Sequence, residues 1–359
     1  MTKKIAIFLT LALVIGLFAG CAGTPVVYYS DCTCPADSHN TVVAVPENTE
    51  APVAAEGAVK TGLAILADVS GSKSADAENN GEAKYDVTIV AVTVTDEGVI
   101  DSCVIDSVGT SVAFSAIGEP VDFSSPAEVL TKTELGEDYG MKAYAGSKYE
   151  WYEQAAALAA YAEGKTVEEL KSGAVNESGY AADADLASTA TIYIGGYVSA
   201  IEAAVANAQH LGAQAGDELK LASINSLDAT PGESEGGAAQ LNMDVTALTM
   251  NGDTITSCYI DALQAQITFD GTGAITSDLA APQTKNQLGE NYGMKAWGGA
   301  TYEWNEQAAN FCAYVTGKTA AEVAGIAVNE GTKPTDADLA SSVTIAIGGF
   351  QALIQKAAQ

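Results

Sequence analysis

Three pairs of lysines recur at matched places in a chain whose formal net charge is −30: Lys132 and Lys285, Lys142 and Lys295, Lys165 and Lys318. Matched cations in so acidic a protein predict a fixed anionic neighbour, either a bound phosphate or a carboxylate of the same domain. Aromatic residues recur beside them, Tyr139 with Tyr292 and Trp151 with Trp304. Such rings can stack on a flat ligand or simply fill a core. Glu150 and Glu153, like Glu303 and Glu306, flank the tryptophans on one helix. They read chemically as an acid–base or calcium pair and structurally as a solvated helix face. Asp183-x-Asp185 and Asp336-x-Asp338 lack the remaining ligands of a calcium loop. Cys103 and Cys258 are expected as buried, inert thiols, since no Cys-x-x-Cys pair is present; Cys312 is unmatched, with Ala159 in its place.

Several chemistries are excluded by what is missing. All sixteen basic residues are lysines, so there is no bidentate arginine clamp for carboxylate or phosphate. The only histidines, His39 and His210, lie outside the recurring segments, which argues against a Ser-His-Asp triad, a Cys-His pair or a histidine metal site. The acidity argues against nucleic acid as a partner.

These residues are positioned by a duplication. Thr131-Lys-Thr-Glu-Leu-Gly-Glu-Asp-Tyr-Gly-Met-Lys-Ala143 returns as Thr284-Lys-Asn-Gln-Leu-Gly-Glu-Asn-Tyr-Gly-Met-Lys-Ala296. The tyrosines are separated by 292 − 139 = 153, the tryptophans by 304 − 151 = 153, and the last threonines by 344 − 191 = 153; Cys103 and Cys258 are 155 apart. The period is far longer than the roughly 20–50 residues of a solenoid repeat, which predicts two tandem homologous domains at 60–209 and 217–359. Each is expected to be α+β, a β-hairpin-led sheet packed with helices. Strands are predicted over Tyr85–Val94 and Val99–Asp106, and over Met243–Met250 and Thr254–Asp261, joined by turns at Asp96-Glu-Gly98 and Asn251-Gly252. Cys103 and Ile105 are expected on one face of the return strand and Ile100 on the other. Trp151, Ala155, Leu158 and Ala162 share a helical face, as do Trp304, Ala308, Phe311 and Val315. Gly164 and Gly317 stop these helices, and Thr166-Val-Glu-Glu169 and Thr319-Ala-Ala-Glu322 read as capping boxes, not as phosphate loops. Each half closes with a β-branched run, a Gly-Gly pair and a last helix, near Val198–Ala208 and Gln351–Ala358.

Residues 1–20 read as a signal peptide, with Lys3 and Lys4 before the apolar run Ile5–Phe18, which is too short to span a membrane. Phe18-Ala19-Gly20-Cys21 resembles the bacterial lipobox, which implies lipidation of Cys21 and an extracytoplasmic protein anchored to the cell membrane. Ordinary secretion with a plain thiol at Cys21 is the alternative. Residues 21–59 then read as the lipidated cysteine and a flexible tether, in which Cys32 and Cys34 form a local disulfide or an incidental pair.

Asp185-Leu-Ala-Ser188-Thr-Ala-Thr191 and Asp338-Leu-Ala-Ser341-Ser-Val-Thr344 precede the last helix of each half. Here the chain resembles the FMN-binding domain family, which includes the extracytoplasmic flavoprotein subunits of Rnf and sodium-pumping quinone reductase complexes. The resemblance implies FMN joined as a phosphate ester to Thr191 and Thr344 by a separate flavin transferase, with Asp185, Ser188, Asp338 and Ser341 as motif residues. It departs from the family where Thr189 and Ser342 stand for the usual Gly and Val343 for Ala. It covers this motif and the general plan of each half. A hydroxyl at a helix N-terminus would suit a phosphate, because free N–H groups point at it; a cap or turn is the structural alternative. The function implied is electron transfer at the isoalloxazine, exchanged with redox partners, rather than substrate conversion by side chains. The alternative is a cofactor-free ligand-binding or structural lipoprotein of the cell surface.

Overall fold

Long β-branched and apolar runs form the two sheets. The computed structural model describes residues 57–231 and 236–359. The signal peptide, Cys21, Cys32, Cys34 and nearly all of the tether lie outside the described residues. In the first half β1 (Lys60–Asp68), β2 (Gly81–Val94) and β3 (Ile100–Phe114) make an antiparallel meander in that order. In the second half β4 (Glu218–Thr230), β5 (Gly237–Asn251) and β6 (Thr254–Phe269) do the same. The structure is thus α+β, with the two predicted hairpins present, longer than expected and each extended by a preceding strand.

The helices cover only part of each sheet's outer face: β2 alternates over Gly81–Thr88 and is buried on both faces from Ile89 to Val94. Alternation sends Tyr85, Val87, Ile89 and Ala91 into a central core, while Val90, Val92 and Val94 face helices. The central core is shared by the two sheets: Leu63, Tyr85 and Val112 join Leu241, Met243 and Ile267 in one cluster. At its edge the Phe114 and Phe269 rings stack with centroids 3.9 Å apart, and the buried Tyr85 hydroxyl donates to the Ala239 carbonyl at 2.7 Å. The layers therefore run helix, sheet, sheet, helix. The segment joining the halves is pinned to β1, where Thr61 N donates to Gln209 O at 2.8 Å and Val59 N to Ala213 O at 3.1 Å.

One face assignment is corrected. Ile100, Cys103 and Ile105 all lie in the helix-side cluster. Val94 pairs with Ile100 but Thr93 with Ser102, so Asp101 is an extra residue in β3, and this bulge turns Ile100 to the same side as Cys103. The same bulge recurs between Ile255 and Ser257.

The outer layer of the first half holds α1 (Lys132–Leu135), α2 (Met141–Ala145), α3 (Trp151–Ala162), α4 (Val167–Ala174), α5 (Ala184–Thr189) and α6 (Gly195–Ala206). The second holds α7 (Lys285–Leu288), α8 (Trp304–Val315), α9 (Ala320–Ala324), α10 (Ala337–Ala340) and α11 (Gly348–Ala357). The tryptophan opens its helix, and the predicted face is buried: Trp151, Ala155, Leu158 and Ala162 on α3, Trp304, Ala308, Phe311 and Val315 on α8. Thr166 and Thr319 cap α4 and α9 in the expected boxes with Glu169 and Glu322. The β-branched runs before α6 and α11 are irregular, with bends at Ile192 and Ile345, rather than strands.

Candidate functional site

The matched lysines divide three ways. Lys142 and Lys295 find carboxylates of their own half, Glu153 at 2.6 Å and Glu306 at 2.7 Å. Lys165 and Lys318 lie over the Tyr161 and Tyr314 rings at 4.0 and 4.2 Å. Lys132 and Lys285 are different. Among the described residues neither has a carboxylate within ion-pair distance. Instead the Lys132 ammonium sits 5.3 Å from the Tyr139 ring centroid and 5.3 Å from that of Trp151. Lys285 sits 5.1 Å from Tyr292 and 4.9 Å from Trp304. Cation–π attraction holds each charge against the aromatic pair without neutralising it.

Each lysine faces a cleft. The first has a volume of about 920 Å³ and is walled by Tyr139, Met141, Tyr144, Trp151, Ile192, Tyr193 and Tyr197 around Lys132. The second, about 500 Å³, is walled by Tyr292, Met294, Trp304, Ile345 and Phe350 around Lys285. Both volumes suit a small-molecule site. Trp151 donates through its indole N–H to the Tyr197 hydroxyl at 3.0 Å, whereas Trp304 meets Phe350 edge-on. The acids of the first cleft are engaged: Asp86 pairs with Lys84 at 2.7 Å, and Asp68 accepts from Ser70 N at 2.8 Å. In the second, burial pushes the Asp244 carboxyl above its ordinary range and Lys285 pulls it part of the way back.

Buried polar side chains fix these walls. Glu150 is 2% exposed, and its carboxylate accepts from Met141 N at 2.8 Å and Lys142 N at 3.1 Å. Glu303 takes Met294 N and Lys295 N at 2.8 and 3.0 Å. Glu153 and Glu306 accept from the Glu150 and Glu303 amides. The expected solvated helix face is therefore overturned for Glu150 and Glu303: the loops before α3 and α8 fold over them, and backbone donors replace water. Gln154 and Gln307, fully buried on the same helices, escaped the sequence reading. Gln154 Oε1 accepts from Thr191 N at 2.8 Å, Thr191 Oγ1 at 3.0 Å and Ile192 N at 3.2 Å, while Nε2 donates to Tyr149 O at 3.1 Å. Gln307 accepts from Thr344 N, Thr344 Oγ1 and Ile345 N at 2.8, 3.2 and 3.2 Å. Each glutamine straps the threonine loop to the turn just before its own helix, at the Tyr149 and Tyr302 carbonyls.

The predicted attachment residues can now be placed. Thr191 and Thr344 are exposed, and the residues after them, Ile192 and Ile345, line the two clefts. They are not at a helix N-terminus: α6 begins at Gly195 and α11 at Gly348, and the amides at each threonine and its successor are already donated to glutamine. The free-donor argument for a phosphate there is thus corrected. Asp185 and Ser188 are exposed on α5, Asp338 on α10 and Ser341 at its C-cap, outside the cleft walls. Ser188 and Ser341 bond the Asp185 and Asp338 carbonyls at 2.7 Å. Asp183 and Asp336 cap those helices, accepting from Leu186 N and Leu339 N at 3.0 Å.

Two further aromatics escaped notice. Tyr144 and Trp297, 297 − 144 = 153 residues apart, are each 89% exposed. Both rings lie across a glycine with positive φ: a Cβ on Gly140 would stand 2.3 Å from Tyr144, and one on Gly293 2.2 Å from Trp297. A glycine four residues before an aromatic, in both halves, was the available signal.

No family model matches the chain, nor does any curated protein or solved structure.

Proposed function

We propose that the protein is an extracytoplasmic lipoprotein, anchored to the cell membrane through Cys21, whose two halves are homologous copies of one binding module. Each module takes a planar, conjugated ligand carrying an anionic group. The observation that carries this reading is the lysine held between two rings with no carboxylate within ion-pair distance among the described residues, at matched positions in a strongly acidic chain. The rings offer flat faces, and the lysine offers the charge that an anionic ligand must find. The first cleft, larger and with three more tyrosines, Tyr144, Tyr193 and Tyr197, is the stronger site.

A second reading has an observation of its own. Thr191 and Thr344 present exposed side chains directly beside the clefts. FMN esterified there by a flavin transferase would have its ring within reach of the aromatic walls and would make the protein an electron carrier between redox partners. The volume of the first cleft, about 920 Å³, supports room for the ring, whereas the phosphate would lack the backbone donors already given to Gln154 and Gln307.

One experiment separates the two. The protein is purified from its own membranes and weighed intact under native and denaturing conditions, alongside in-gel flavin fluorescence. A small molecule that leaves on denaturation, and is absent from the Lys132→Met, Lys285→Met double variant, supports the binding module. Mass of one or two FMN units that survives denaturation and disappears in Thr191→Ala, Thr344→Ala establishes the flavoprotein. A protein that carries neither, and whose tryptophan fluorescence ignores added FMN and other planar anions, overturns both.

A further inference from the structure

Cys312 is the cysteine without a counterpart, and it does not stand alone. It lies on α8 with its sulfur 3.1 Å from that of Cys258 on β6. Both are buried, 5% and 1% exposed. Among the described residues no third His, Cys, Asp or Glu joins them in a metal-binding group. A cavity of about 560 Å³ is lined by both cysteines, with His210 and Asn305 and the apolar Leu211 and Ala309 around them. In the first half Cys103 occupies the place of Cys258, but Ala159 occupies that of Cys312.

We propose that Cys258 and Cys312 are a disulfide-forming pair that staples β6 to α8 in the second half alone, with this cavity as the entry path for the oxidant. The oxidant is a small-molecule or protein disulfide. One cysteine, deprotonated to water, attacks a sulfur of that disulfide and expels its other half as a thiolate. The second cysteine, deprotonated in turn, attacks the mixed disulfide and expels the remaining half. Two protein thiols lose two protons and two electrons, and the oxidant disulfide is reduced to two thiols. The sulfurs are already side by side, so the exchange requires little backbone movement. Burial pushes the Cys312 thiol up, so this cysteine is slow to react until an oxidant enters the cavity. This inference is independent of what the two clefts bind.

The test uses the full chain incubated folded with glutathione disulfide, then acid-quenched, denatured, alkylated without reductant and cleaved after lysine. Cleavage puts Cys258 on Leu221–Lys285, Cys312 on Ala296–Lys318 and Cys103 on Tyr85–Lys132. The expected result is a joined peptide, lighter by two hydrogens than its parts and split by reductant, with Cys103 alkylated. Cys312→Ala, which installs the residue the first half already uses, is expected to fold and to leave Cys258 alkylated. Reduction should lower the melting temperature of the wild type by about 5–10 °C and leave that of the variant unchanged. Alkylation of both Cys258 and Cys312 in the oxidised protein, a Cys258 bridge to any other cysteine, or a wild-type melting temperature indifferent to reductant would overturn the proposal.

Discussion

Asp261 is the carboxylate on which the second cleft's lysine turn is seated, and its ionisation should be legible in stability. Its Oδ1 accepts from Asn286 N at 3.0 Å, one residue past Lys285, and from Ala262 N at 2.7 Å. Burial pushes its carboxyl up from 3.8 to about 6, and the Thr284 hydroxyl, the two amides and Lys285 only partly oppose that. Between those two values the folded protein holds a proton that the unfolded chain has released. Stability therefore falls as pH rises through this window and is level above about 6. The gap is worth about 3 kcal/mol. Asp261→Asn keeps an oxygen to accept from the two amides and an NH₂ to donate to the Thr284 hydroxyl, and it removes the charge. Urea unfolding of wild type and variant at intervals from pH 4 to pH 8 gives a difference curve in which the other carboxylates cancel. The variant should gain on the wild type by about 3 kcal/mol across that range, with the bend near pH 6. A flat difference curve would refute the reasoning. So would a variant clearly less stable than wild type at pH 7, because the ionised carboxylate's hydrogen bonds would then outweigh its burial. Asp106 sits at the matching place with its carboxyl also pushed up by burial, so Asp106→Asn should show the same sign.

Other perturbations test the site and the core. Gln307→Leu leaves the Thr344 and Ile345 amides and the Tyr302 carbonyl without the strap; loss of about 3 kcal/mol in denaturant unfolding is expected, and a loss under 0.5 kcal/mol would show that the strap is dispensable. Lys132→Met should weaken binding of an anionic planar probe such as FMN by about 10- to 100-fold in calorimetry while leaving the melting temperature unchanged. Phe114→Ala removes one ring of the stack that joins the two sheets and should cost about 3–5 kcal/mol; a loss below 1 kcal/mol would mean that the sheets do not depend on each other there.

What the sequence disclosed follows from how local each cause is. Thr166 and Glu169 are three residues apart and form their box without help from the rest of the chain, so the box was legible. The α3 face Trp151–Ala155–Leu158–Ala162 was legible for the same reason, since its period is set by the helix alone. Ile100 was misplaced because the bulge at Asp101 is a property of pairing between β2 and β3, not of either strand's residues. Gln154 and Gln307 were passed over because a glutamine in an amphipathic helix is polar by type, and only the folded loops reveal that its carboxamide is saturated. The shared core was illegible on similar grounds. From Ile89 to Val94 both faces of β2 are buried, and a strand covered twice does not say whether its second cover is a helix or another sheet. The lysines show the limit most clearly. All three pairs recur with equal fidelity, yet Lys142 meets a carboxylate, Lys165 a single tyrosine and Lys132 a pair of rings at a cleft. Recurrence marked all six as fixed, and only the distances separate a structural ion pair from a cation left available to a ligand.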